Sequence, residues 1–202
     1  KKLESVMKKF LPIIIVLVVL VGGYFLLSMN YQNTALGYKQ AADKSWADVE
    51  GAYQRRNDLI GNLVNTVKGA ADFERSTLEA VVNARAKATS MNIDPSNMTP
   101  QQLEQFQQAQ SGVSSALGRL LVTVERYPDL KANQNFLKLQ DELASTENQI
   151  LTARTRFNES VQMYNGYVLR MPNKFFLSGY PERPFFKSEA GAEVAPEVEF
   201  NF

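Results

Sequence analysis

Three polar side chains stand where an apolar one belongs: Arg56, Gln110 and Thr146, with Glu142 one helical turn before Thr146. Each of the three occupies an apolar-stripe position in a separate run of seven-residue periodicity. A guanidinium carries five donors and no acceptor, so burying it demands oxygens around it. Gln110 and Thr146 offer oxygens, and Glu142 offers charge. The spacing predicts a polar layer inside a helical core, with Arg55, one step round the helix, in solvent. The alternative is that Arg56 lies at the edge of its stripe and snorkels to water. A buried layer would serve register, because it penalises misaligned packing more than it stabilises the correct one.

Catalytic chemistry finds little support. The 202 residues include neither histidine nor cysteine. That removes Ser-His and Cys-His relays, thiol nucleophiles, disulfides and zinc sites needing imidazole or thiolate. A di-metal carboxylate bundle would want Glu-x-x-His pairs, which cannot exist here. Glu142 and Glu147, at helical spacing, also read as a solvated face. The expectation is a protein that is no enzyme, with no cofactor and no metal. A net charge of +1 gives no bulk reason to bind nucleic acid.

The elements that would position these residues follow from periodicity. Trp46, Val49, Tyr53, Arg56, Ile60, Leu63 and Val67 alternate steps of three and four. So do Leu103, Phe106, Gln110, Val113, Leu117, Leu120 and Val124, and again Phe136, Leu139, Leu143, Thr146, Ile150, Ala153 and Phe157, extended by Val161 and Tyr164. A shorter run holds Leu78, Val81, Val82 and Arg85. Such stripes predict helices packing at shallow angles. Gly69 is expected to end the first helix in the left-handed conformation, and Asp72 to cap the second across a tight hairpin. Thr99-Pro100 reads as an N-cap followed by proline at the first helical position. Tyr127-Pro128 closes the third helix, the fourth runs from about Asn133 to Val168, and Pro172 stops it.

Ahead of these, residues 10–29 read FLPIIIVLVVLVGGYFLLSM, without a charge. Twenty residues make about 30 Å of helix, the thickness of a hydrocarbon core. A cleaved signal peptide competes, but its best site, Asn33-Thr34-Ala35, is poor. Lys1, Lys2, Lys8 and Lys9 precede the segment and residues 30–38 carry no charge, so the positive-inside rule keeps the N-terminus cytoplasmic. The expected organisation is a cytoplasmic stretch 1–9, a transmembrane helix 10–29, a long-helix bundle 30–170 and a tail 171–202. No proline separates the anchor from the first helix, so one is expected to run into the other. Counting rises along the helices, of about 50 Å up the first and 54 Å down the fourth, returns Val168 to anchor level.

"SWADVEGAYQRRNDLIGNLVNTVKG" followed by "ERSTLEAVVNARA" resembles the LemA family. The residues that carry the likeness are Trp46-Ala47-Asp48, Arg55-Arg56, Asp58-Leu59-Ile60, Asn62-Leu63-Val64, Thr66-Val67-Lys68-Gly69, Glu79-Ala80-Val81 and Ala84-Arg85-Ala86. Pro172, Gly179-Tyr180 and Pro184-Phe185-Phe186 fit the family's C-terminal signature, so the likeness spans residues 31–187. Gly61 stands where the family often has proline, and Ala70 and Phe73 replace a usual tyrosine and histidine. The resemblance implies a single N-terminal anchor carrying an antiparallel four-helix bundle, and no established enzymatic activity. Family members are similar in neighbouring membrane peptidases, and one branch serves in magnetosome formation.

The tail "FFLSGYPERPFF" lacks any regular period. Phe175, Phe176, Tyr180, Phe185 and Phe186, with Arg183, either pack back on their own bundle or form an intersubunit or membrane-surface contact. After Ser188 the chain turns small and acidic, then alternates through Val198, Phe200 and Phe202; a disordered tail or a short added β segment is expected. The expected partners are the lipid bilayer and further copies of the chain. Two roles fit: a self-assembling scaffold in the bacterial inner membrane with its bundle in the periplasm, or an adaptor for a membrane peptidase or another envelope protein.

Overall fold

A computed structural model describes residues 2–70 and 73–187, with the backbone alone for 2–9. Every regular element among them is helical: α1 (Lys2–Lys68), α2 (Arg75–Thr89), α3 (Pro100–Val124), α4 (Pro128–Lys131), α5 (Gln134–Val168) and α6 (Asn173–Phe176). The four long runs of the sequence are helices, and two single-turn helices, α4 and α6, join them. The alternating segment after Ser188 and the proposed cap Asp72 lie outside the described residues.

The helix boundaries show how local chemistry places the ends. Thr99 caps α3: its hydroxyl accepts from the Gln102 amide while the Gln102 side chain accepts from the Thr99 amide, and Pro100 follows at the first helical position. Asn133 does the same for α5, its Oδ1 accepting from the amides of Asn135 and Phe136 at 2.9 and 3.2 Å. The end of α1 departs from expectation. Gly69 is not left-handed; α1 closes by tightening, with the Gly69 and Ala70 amides donating to the carbonyls of Thr66 and Val67. Nor is the turn a two-residue hairpin, since α2 begins only at Arg75, and its N-cap Glu74 makes no side-chain cap. Instead Glu74 accepts from Ser76, at 2.9 Å, and from Arg126 Nη2, at 2.8 Å. These two hydrogen bonds, with the Arg126 charge, hold the Glu74 carboxyl below its ordinary value.

The described residues divide into two compact units, 2–42 with 162–182, and 43–161 with 183–187. In the first, α1 is exposed throughout residues 10–29 except at half-buried Ser28. A helix apolar on every face and left exposed along almost its whole length suits a nonpolar solvent. It is the one helix among the described residues long and apolar enough to cross a membrane, and residues 30–42 continue it unbroken. Above the apolar stretch, Ala35, Tyr164, Val168 and Leu177 form a small core with Tyr31, Tyr38, Tyr167 and Tyr180 packed on it.

The second unit holds the larger core. Ile60, Leu63 and Val67 of α1, Val81 of α2, Val113 and Leu120 of α3 and Phe136 of α5 are buried in one cluster. Every stripe position named for α1 and α3 is buried, including the polar ones. Periodicity thus decided which faces turn inward, because four neighbouring stripes remove apolar area from water together at about 25 cal/mol per Å².

Candidate functional site

Two polar constructions interrupt the second unit's apolar interior. The first centres on Arg56, which α1 carries three residues after Tyr53 and four before Ile60, so that its side chain must point inward. It is 2% exposed. Its Nη2 donates to Gln110 Oε1 at 2.5 Å and to the Gln110 carbonyl at 3.4 Å. Its Nη1 donates to Ser114 Oγ at 3.2 Å and to Glu147 Oε1 at 3.0 Å. The guanidinium also lies 5.0 Å from the centre of the Tyr53 ring. One donor, Nε, is buried without a hydrogen-bond partner. Beside it a cavity of about 50 Å³, lined in part by Gln107, Ser111 and Arg154, is large enough for a water. Arg55 is exposed.

The structure therefore brings Arg56 and Gln110 together and rearranges the rest. The carboxylate that meets Arg56 is Glu147, not Glu142. Glu142 faces Lys138, 3.9 Å away. Thr146 is fully buried, but its hydroxyl donates to the Glu142 carbonyl one turn back. Helical geometry explains the exchange. Residues 142 and 147 differ by about 140° around α5, and residue 147 lies on the flank that borders α3, beside Ser114. Ser114 completes the set; it sits one turn after Gln110 on α3, a relation visible in the sequence but hidden by the residue's small size.

The second construction is residues 183–187. Arg183 is buried, and its Nη2 reaches Asp43 Oδ1 at 2.6 Å. Phe186 is buried against Trp46, stacked at 5.9 Å between ring centres, and edge-on to Phe157 at 5.5 Å. Trp46 also touches Phe106 at 5.5 Å, so α1, α3 and α5 each wall this pocket. Arg183 and Phe186 thus pack on their own chain here, the first of the two readings of the tail. Phe185 is 40% exposed. The other named aromatics belong to the first unit. Phe176 stacks on Tyr31 at 4.8 Å and lies 5.3 Å from Tyr24, inside the apolar stretch. The Tyr180 hydroxyl donates to the Gln32 carbonyl, and Phe175 is 72% exposed.

Neither construction presents a nucleophile beside a base. The Arg56 guanidinium, paired and hydrogen-bonded, ties α1 to α3 and α5.

Similar chains occur among known proteins. Protein LemA of Metamycoplasma hominis is 23% identical over 168 residues, covering 83% of this chain and 73% of its own. Magnetosome protein MamQ of Magnetospirillum gryphiswaldense is 24% identical over 196 residues, covering 85% and 71%. Magnetosome protein MamQ 2 of Paramagnetospirillum magneticum is 23% identical over 189 residues, covering 83% and 68%. The profile of the LemA family matches residues 45–200, which takes in Arg56, Gln110, Glu147 and the 183–187 segment alike, and the chain belongs to the LemA family.

Proposed function

We propose that this protein is a non-enzymatic scaffold of the bacterial inner membrane, anchored by residues 10–29, with α1, α2, α3 and α5 packed as an antiparallel four-helix bundle. The N-terminus stays in the cytoplasm and the bundle stands in the periplasm, by the lysine asymmetry around the apolar stretch. Residues 30–170 are the bundle and 171–202 its tail. The observation that carries this reading is the continuity of α1: an exposed apolar stretch continues, without a break, into the helix whose stripe enters the main core.

The end of α5 and the turn of α6 support a bilayer as first partner. Leu169, Met171 and Phe175 are exposed, with Arg170 and Lys174 between them, and Phe176 contacts Tyr24. Apolar side chains interleaved with basic ones suit the headgroup boundary. Phe175, not Arg183, is the tail residue offered to it.

Two measurements test the proposal. Protease added to spheroplasts should remove the α2–α5 region; full protection would reverse the topology. Native mass of the detergent-solubilised protein should show a defined multimer. A single copy that co-purifies with a membrane peptidase would replace the scaffold by an adaptor.

A further inference from the structure

Residues 183–187 meet the second unit as a ligand meets a cleft. They lie outside any helix, and the cleft holds their backbone as well as their side chains. Asn158 takes Phe186 by both main-chain groups: its Oδ1 accepts from the amide at 2.9 Å and its Nδ2 donates to the carbonyl at 3.0 Å. The Lys187 carbonyl accepts from Gln107 Nε2 and from Arg154 Nη2, each at 3.1 Å. The Phe186 ring fills the pocket of Trp46 and Phe157 with the Arg154 guanidinium 4.9 Å from its centre. Asp43 receives Arg183 three residues earlier.

An amide side chain that pairs with both main-chain groups of one residue does what a sheet edge does for an added strand. It recognises extended backbone, while pockets select side chains. We propose that this cleft of α1, α3 and α5 is a binding site for an extended peptide with a basic residue three positions before an aromatic one. It is filled here by the chain's own segment, and the same segment of a second copy takes its place in trans. A second copy is the occupant favoured because it carries the identical segment, so every contact above is available to it unchanged. The five preceding residues, 178–182, are exposed except for half-buried Tyr180, and straightened they reach about 16 Å. The inference stands on this geometry alone, whichever role the protein serves in the membrane.

Charge reversal tests it with full-length chains in detergent. Asp43→Arg sets a cationic cleft against its own Arg183, and Arg183→Asp sets an acidic tail against its own Asp43. Each variant repels its own segment, yet each tail suits the other variant's cleft. Mixed under different tags, the two should co-purify about tenfold more than either does with itself. The double variant should recover the wild-type emission of Trp46, the sole tryptophan. Absence of the mixed species, with both variants keeping wild-type helicity, would overturn exchange between copies. A second arm does not depend on those variants folding. The synthetic peptide PERPFFK, added to the full-length Phe186→Ala protein, should shift Trp46 emission and saturate. A linear, unsaturable response would overturn the cleft as a peptide site.

Discussion

Arg56 and Arg183 are both buried and both reach a carboxylate that keeps some contact with water, Glu147 at 45% side-chain exposure and Asp43 at 30%. What surrounds them differs. Arg56 is held by side chains of α3 and α5, two helices that themselves belong to the main core. Arg183 sits on a segment outside any helix. The same charge pair thus stands in two settings: among helices, where the proposed role is register, and on a segment, where the proposed role is an exchangeable strap. A buried ion pair adds little net stability in either place, because desolvation offsets most of the attraction. Its consequence lies in what its loss strands.

The largest effect should come from Arg56→Ala. It leaves buried Gln110 without its donor, while exposed Ser114 can rehydrate, and the expected loss is about 3 kcal/mol of global stability, read from denaturant unfolding. Glu147 limits the loss, since its exposed side can rehydrate. Arg56→Leu sharpens the comparison: thermal stability should hold or rise while the near-ultraviolet signal of Trp46 weakens, as packing loses its single register. A melting temperature that falls as far as for alanine would remove the register role. Phe186→Ala comes next, at about 2 kcal/mol, below the usual cost of emptying an aromatic site. The loss cannot exceed the free energy with which the segment docks, so hydrogen exchange should quicken near residues 158 and 186 and not near Val113. Quickening at Val113 would make the strap part of the core. Glu147→Gln should cost about 1 kcal/mol, because an acceptor remains for Arg56.

The smallest effect is at the far end of the helices. The Glu74 carboxyl, lowered by Ser76 and Arg126, contributes stability that is complete above its ordinary value of 4.5 and is lost as pH falls through the lowered one. Acidification should loosen the start of α2, and Glu74→Gln should remove that dependence. An unchanged profile in the variant would assign the acid sensitivity elsewhere.

The helices, their inward faces and most of their ends were determined by the sequence itself. Stripes, caps and prolines act within a turn or two, so Thr99-Pro100, Asn133 and the buried stripe through Arg56 could be read from neighbours in the chain. The apolar stretch 10–29 was equally legible, because length and absence of charge are one-dimensional properties. The close of α1 was less so: Gly69 permits a left-handed end without requiring it, and a tightened turn satisfied its carbonyls instead. Tertiary structure alone decided which carboxylate meets Arg56. Glu142 and Glu147 both lie near Thr146 in sequence, but about 100° of helix rotation separates neighbouring residues, and only the placement of α1 and α3 around α5 selects between flanks. It alone also decided the fate of residues 183–187. An extended segment has no period to report which side is buried, and Asn158, Gln107 and Asp43 hold it from helices distant in the chain. Their contacts exist only once those helices are packed.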